Sequence, residues 1–81
     1  MNFEVKLFAG AREIVGKDLV IVSLEAGATV ADLRIALGQS IPALRETIEH
    51  VKFAVNHDYA DDDTCLSPDS EIACIPPVSG G

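Results

Sequence analysis

The chain has 81 residues, 48% of them hydrophobic, and a formal net charge of −7 from 13 acidic and 6 basic side chains. This length supports one domain that buries only about 60% of its unfolded surface, and the hydrophobic content is typical of a globular protein. The negative charge excludes the positive footprint that binding to nucleic acid or an anionic membrane requires, and it favours encounter with a basic protein surface.

The first part of the chain predicts a strand, a helical turn and a second strand. Residues 2–8 alternate apolar and charged side chains, the pattern of a half-buried strand. Residues 9–15 carry good helix formers and stop at Gly16, which indicates a short helical turn. Residues 18–24 are β-branched and apolar, and they predict the second strand.

The middle of the chain predicts the main helix. Thr29 is a good N-cap, and Asp32 lies three residues on, where its side chain can complete a capping box. Apolar residues from Val30 to Leu37 follow at helical spacing, and Gly38 predicts the end of the helix. Pro42 then opens a second, shorter helical piece, because proline suits the first helical position.

The last part of the chain predicts more strands and a tail. Residues 52–56 form a compact strand signal, residues 56–70 are polar and read as turns, and residues 71–76 form the last strand. Strand, strand, helix and two or three further strands predict an α+β fold with a mixed sheet on one main helix. This order suggests a β-grasp domain over residues 1–75, followed by an extended tail at 76–81.

No internal cluster of residues predicts catalysis or metal binding. The acidic run Asp61–Asp63 lacks the alternating ligands, the central glycine and the terminal glutamate of a calcium loop, so a solvated loop is predicted. A nucleophilic pair of Cys65 with His50 or His57 has no support from spacing, and surface histidines are the expectation. We predict no bound metal.

The cysteines and the start of the chain favour the cytoplasm. Cys65 and Cys74 have neither CxxC spacing nor a neighbouring histidine cluster, so both are predicted to be reduced thiols, with Cys74 a small core side chain. The opening residues lack a signal peptide's basic start and apolar run, and no apolar stretch is long enough to span a membrane.

The most informative segment is the tail Pro76-Pro77-Val78-Ser79-Gly80-Gly81. Two prolines stiffen its base, and two glycines without Cβ atoms can enter a narrow channel. A free carboxylate resists nucleophiles, so acyl chemistry at Gly81 first requires activation, for example by ATP. Sulfide would then give a thiocarboxylate, whereas a lysine amine would give an isopeptide bond.

Several segments carry a resemblance to a known family over essentially the whole chain. They are the opening strand with Leu7-Phe8-Ala9 followed by Arg12-Glu13, the central Ala54-Val55-Asn56, and Glu71-Ile72-Ala73 leading into the Pro-Pro-Val-Ser-Gly-Gly tail. With these segments the chain resembles the small subunit of molybdopterin synthase, a ubiquitin-like β-grasp sulfur carrier.

The resemblance implies a function carried by partner proteins. It implies that Gly81 is adenylated by an ATP-consuming enzyme related to ubiquitin activators, and that a sulfur donor protein then converts it to a 1-thioglycine thiocarboxylate. The loaded chain would act in a heterotetramer with the large synthase subunit, which carries the catalytic groups. Sulfur would pass to cyclic pyranopterin monophosphate. The small subunit itself would bind no cofactor.

The resemblance also implies which residues meet partners. Gly81 would bear the sulfur, and the remaining contacts would come from Gly80, Ser79, Val78, Pro77, Pro76, Phe8, Arg12 and Ile75. For Phe8, ordinary core packing is an equal alternative. The family often has aromatic residues where this chain has Cys74 and Ile75, so only an apolar contact is expected there. A sulfur carrier of the thiamine pathway, a ubiquitin-like covalent modifier and an inert binding module remain the alternatives.

Overall fold

The computed structural model describes residues 1–76. The predicted tail residues Pro77, Val78, Ser79, Gly80 and Gly81 lie outside this described part. The elements, in chain order, are β1 Asn2–Leu7, α1 Ala9–Val15, β2 Leu19–Ser23, α2 Val30–Ser40, a 3₁₀ turn Pro42–Leu44, β3 Lys52–Val55, β4 Asp58–Ala60 and β5 Ile72–Ile75.

The five described strands form one mixed sheet in the order β2-β1-β5-β3-β4. β1 runs parallel to β5, and the other neighbouring pairs are antiparallel. The last strand of the chain is therefore the central strand of the sheet. This arrangement confirms the predicted α+β class with a mixed sheet packed on one main helix.

The helices cover one face of the sheet, and the core lies between the two layers. Apolar side chains alternate along β1 with exposed polar ones, as predicted. Side chains that are 2% exposed or less come from both layers: Phe3, Val5, Leu7, Ala11, Val30, Leu33, Leu37, Leu44, Phe53, Ile72 and Cys74. The prediction that Cys74 is a core side chain is confirmed.

The ends of the helices follow the predicted signals in two places. Thr29 Oγ1 accepts a hydrogen bond from the Asp32 N–H at 3.4 Å, and the Thr29 N–H donates to Asp32 Oδ2 at 2.9 Å, so the capping box is confirmed. Gly16 ends α1 at φ 79°, and its N–H donates to the Arg12 carbonyl at 2.7 Å.

Within residues 1–76 no helix combines the length and the apolar character needed to cross a bilayer.

The predicted end of α2 at Gly38 is wrong. The helix continues to Ser40, and Gly38 is buried inside it. A Cβ at this position would lie 3.6 Å from Ile48 Cγ2. This is an ordinary contact distance, so Gly38 is a buried position inside the helix and does not act as a stop signal.

A short strand, β4, lies at the start of the polar segment 56–70, in which the sequence marked turns but did not place a strand. Asn56 and His57 connect β3 to β4, with φ angles of 53° and 74°. Two-residue hairpins of this kind need positive φ at both central positions, and their usual sequence signal is a glycine. Since this turn contains no glycine, the hairpin was missed.

Candidate functional site

The face of the sheet that points away from the helices holds a depression beside the base of the tail. We call it the open face and define it by Lys6, Phe8, Ala54, His57, Tyr59, Glu71, Ala73 and Ile75, which line about 380 Å³ of space. Its lining is mostly apolar. The site therefore has the form of a shallow docking surface and not of an enclosed pocket.

The register of the strands explains why a depression forms there. Ala73 in the central strand pairs with Lys6 on one side and with Ala54 on the other. Ala54 pairs in turn with Tyr59. Two alanines thus form a low floor between longer side chains, so a protruding apolar group of a partner would fit between them.

Two of the predicted partner-contact residues lie together on the open face. Phe8 follows β1 and is 45% exposed, so the alternative of core packing for Phe8 is wrong. Ile75 ends β5 and is half-buried, and both residues line the depression. An apolar contact near the tail is therefore available although the aromatic residues of the family are replaced by Cys74 and Ile75.

Two further predicted contact residues do not line the open face. Arg12 is exposed on α1, where its Nη1 atom lies 3.7 Å from Asp18 Oδ1. Pro76 directly follows Ile75 and is buried. The depression thus lies immediately before the tail. Roles of Phe8, Arg12, Ile75 and Pro76 in an interface stay predictions.

A polar cluster centred on Glu71 forms one side of the depression. Glu71 Oε1 accepts a hydrogen bond from Lys6 Nζ at 2.6 Å, and Glu71 Oε2 lies 2.9 Å from His57 Nε2. The Asn56 side chain accepts from the Glu71 N–H at 2.9 Å, and the Asn56 N–H donates to the Glu71 carbonyl at 2.8 Å. These contacts fasten the β3–β4 hairpin to the start of β5.

The cluster changes the acidity of Glu71. The hydrogen bond from Lys6 lowers the pKa of the Glu71 carboxyl below its ordinary value, and the charges of Lys6 and His57 act in the same direction. Because the pKa of Glu71 is lower in the folded state, its ionised carboxylate stabilises the folded chain at pH values above the unfolded-state pKa. This stabilisation is lost as the pH falls through the folded pKa.

We expect Lys6→Met to raise the pKa of Glu71 toward its ordinary value, because the variant removes the largest cause of the shift. The pKa is measured by following the Glu71 carboxyl carbon by NMR during an acid titration. Lys52→Met removes another exposed lysine of the sheet and is the matched control. A Glu71 pKa that responds equally to both changes would contradict the assigned cause.

Sequence reasoning missed most of the open face. Tyr59 is 72% exposed in β4, within a segment predicted to be turns. The alternation in residues 2–8 and 71–76 already indicated that Lys6 and Ala73 point away from the core. Their position beside Ala54 and Tyr59 depends on strand order and register, which a single sequence does not carry.

The other candidate groups have structural explanations. Asp62 Oδ1 accepts a hydrogen bond from Arg34 Nη2 at 3.0 Å, so the acidic run is more than a solvated loop.

Burial raises the pKa of the Cys74 thiol to about 11, which keeps it protonated and unreactive at neutral pH. Cys65 is exposed, and neither cysteine forms a disulfide. No group of three or more His, Cys, Asp or Glu side chains within residues 1–76 is placed to hold a metal ion.

Comparisons with known proteins agree with this fold. Residues 5–81 match the model of the ThiS family. The chain is 38% identical over 83 residues to a molybdopterin synthase sulfur carrier subunit of Dictyostelium discoideum, with 99% of this chain and 96% of the relative covered. It is 33% identical to the protein of the same description from Arabidopsis thaliana, with 100% of this chain and 84% of the relative covered. It is also 35% identical to small archaeal modifier protein 1 of Haloferax volcanii, covering 96% of this chain and 99% of the relative.

Solved structures extend the similarity to three dimensions. The crystal structure of small archaeal modifier protein 1 from Haloferax volcanii has a TM-score of 0.88 at 32% identity, with all of both chains covered. A chain in the complex of subunits 1 and 2 of molybdopterin-converting factor from Helicobacter pylori has a TM-score of 0.70 at 26% identity, again with all of both chains covered. These matches confirm the predicted ubiquitin-like β-grasp fold. On the family model and the full-length relatives together, the chain belongs to the ThiS family.

Proposed function

We propose that this chain is the sulfur carrier subunit of a molybdopterin synthase. The observation that carries the proposal is the match, over at least 99% of this chain, to relatives described as that subunit at 33–38% identity. The family match also runs through Gly81, so it includes the tail on which the chemistry depends. The mostly apolar open face at the base of the tail adds a surface on which a large subunit can dock.

The proposed chemistry takes place at the carboxylate of Gly81. An adenylyltransferase related to ubiquitin activators joins the carboxylate to AMP from ATP and releases pyrophosphate. A sulfur donor protein then delivers sulfide to the activated carbonyl carbon, the new carbon–sulfur bond displaces AMP, and a thiocarboxylate results. In complex with the large subunit, the sulfur passes to cyclic pyranopterin monophosphate. Each of these steps belongs to partners, and this chain is their common substrate.

Docking and delivery are divided between two parts of the chain. The open face gives the large subunit an apolar surface that includes Phe8 and Ile75. A stretch of six residues, the length of the tail at 76–81, spans up to about 20 Å when fully extended, which is enough to enter a partner's pocket. Pro76 is the first residue of the tail and directly follows β5. We place these encounters in the cytoplasm, where exposed Cys65 stays reduced.

We expect Phe8→Ala to weaken binding to the large subunit by roughly 30-fold, since truncating an apolar anchor in the centre of an interface typically costs about 2 kcal/mol. Isothermal titration calorimetry with the large subunit of the same source measures the change. Ile14→Ala is the matched control, because Ile14 is 42% exposed and Phe8 is 45% exposed, but Ile14 does not line the depression. Equal affinities for the two variants would remove Phe8 from the interface.

Intact-mass measurement of the protein isolated from its native cell tests the function itself. The carrier predicts a species in which sulfur replaces one terminal oxygen, formed only when the activating enzyme, ATP and a sulfur donor are present. The loaded protein and its large subunit are then given cyclic pyranopterin monophosphate. Failure of sulfur transfer to this acceptor, with successful transfer in thiazole synthesis, would identify the thiamine-pathway carrier.

A covalent protein modifier is the second candidate. It is favoured by the similarity to small archaeal modifier protein 1, at 35% sequence identity and with a TM-score of 0.88 to its crystal structure. The same activated Gly81 would then react with a lysine amine and form an isopeptide bond. Mass spectrometry of cell lysate for lysines of other proteins joined by an isopeptide bond to a C-terminal peptide of this chain ending in Gly81 separates this candidate from the carrier.

A further inference from the structure

The edge strand β2 presents unpaired backbone groups at the margin of the sheet. Among the described strands it pairs only with β1. Hydrogen bonds from Leu7 N–H to the Asp18 carbonyl and from Leu24 N–H to the Met1 carbonyl fix which residues face β1. By the alternation of an antiparallel ladder, Leu19, Ile21 and Ser23 direct their N–H and C=O groups outward.

The two edges of the sheet differ in how they are protected. β4 has only three residues, begins with Asp58 and is followed by Asp61–Asp63, and short charged edges resist pairing with another chain. β2 has five residues, Leu-Val-Ile-Val-Ser, without a charge, a proline or a glycine. Ile21 is 63% exposed and Leu19 is 37% exposed. β2 is therefore the edge on which a further strand can add.

We propose that β2 pairs in antiparallel orientation with β2 of a second copy of this chain, about a two-fold axis at Ile21. In this register Ile21 lies opposite Ile21 of the other copy, and Leu19 lies opposite Ser23 of the other copy. All three residues that direct backbone groups outward then exchange hydrogen bonds. Such an isologous contact closes after two copies, so it ends in a dimer and not in a fibre.

The flanking charges favour this register and this partner. Lys17 lies four residues before Ile21, and Glu25 lies four residues after it, so each lysine of the pair faces the glutamate of the other copy. Both side chains are exposed, and neither forms an ion pair within residues 1–76. Opposite charges directly across an antiparallel pair are favourable, whereas like charges in that position oppose pairing.

We expect the dimer to be weak, with a dissociation constant on the order of 100 μM, because one strand edge buries less area than a stable interface. The net charge of −7 on each copy also opposes association. Sedimentation velocity across a concentration series at moderate ionic strength measures the equilibrium. The full chain is used, without its synthase partners.

Charge exchange tests the register directly. Lys17→Glu and Glu25→Lys each create like-charge contacts and are expected to weaken the dimer by about threefold to tenfold. The double variant Lys17→Glu with Glu25→Lys restores both opposite-charge contacts and the wild-type dissociation constant. Lys52→Glu and Glu49→Lys are the matched controls, since they make the same net-charge changes away from β2.

A second variant tests the strand itself. Ile21→Lys places two positive charges face to face at the axis, and a monomer is expected at every concentration. Retained dimerisation in this variant would overturn the proposal. A wild-type chain that stays monomeric at millimolar concentration would also overturn the proposal. The same holds for a double charge variant whose dimer is no tighter than the dimers of the single variants. Folding of each variant is checked by its amide NMR spectrum.

Discussion

A chain without Gly81, or with one alanine added after it, is expected to lose sulfur transfer completely while its domain remains folded. The reacting atom of the proposed carrier is the terminal carbonyl carbon, and a change of one residue moves it by about 3.5 Å along an extended tail. Displacements of about 1 Å already cost large factors in rate when reacting groups are positioned for attack. The measurement is sulfur transfer to cyclic pyranopterin monophosphate by each variant, after treatment with the activating enzyme, ATP and a sulfur donor, in the presence of the large subunit.

Two controls separate chemistry from folding. Gly81→Ala keeps the length of the tail but adds a Cβ, so it is expected to slow activation without abolishing it. Thermal unfolding of all variants should match that of the wild-type chain, because the packed core consists of residues between Phe3 and Cys74. Normal product formation by the extended chain would refute the proposed carrier role of Gly81.

Arg34→Met is expected to destabilise the domain by about 2–4 kcal/mol, out of the roughly 4–12 kcal/mol usual for a chain of this length. The Arg34 side chain is 21% exposed, and its guanidinium donates to the carbonyls of Ile48 and Val51. It also lies 5.1 Å from the ring centroid of Phe53. Methionine preserves most of the apolar stem but leaves both carbonyls without their donor.

Urea unfolding followed by circular dichroism measures this loss. Arg12→Met is the matched control, since Arg12 is 56% exposed and its ion pair within residues 1–76 is the one to Asp18 at 3.7 Å. Such surface pairs contribute about 0–1 kcal/mol. Asp62→Asn removes the exposed partner of Arg34 and is expected to cost equally little. If Arg34→Met is no more destabilising than Arg12→Met, then the two backbone contacts contribute little to the fold.

Local sequence signals predicted the elements with strong periodicity or capping. The alternation in β1, the capping box of Thr29 and Asp32, and Gly16 at the end of α1 were all confirmed, because each depends on residues close in sequence. The hairpin at Asn56 and His57 was missed because these residues adopt positive φ without glycine. Residue propensity is a weak guide where tertiary contacts, here those to Glu71, hold the backbone.

For the candidate site, the sequence pointed to the terminal Gly81, which stays a prediction, and to Phe8 and Ile75 on the open face. The Gly-Gly terminus can be recognised from composition, since acyl transfer to or from a backbone carboxylate needs little more than access. The open face, in contrast, combines residues from four strands that are separated by up to 69 positions, from Lys6 to Ile75. Arg34 was likewise missed, because its partners are backbone carbonyls that carry no residue signature.

The central position of β5 makes completion of this domain depend on the end of the chain. β5 joins the β1–β2 hairpin to the β3–β4 hairpin, and these hairpins share no strand pairing with each other. During synthesis, both can form before β5 leaves the ribosome, but the sheet closes only afterwards, across a long loop. We therefore expect a chain that stops before Ile72 to lack the strand that pairs β1 with β3, and so to leave the five-stranded sheet incomplete. Such a chain is not expected to compete for partners as a folded domain that lacks Gly81, the proposed site of the chemistry.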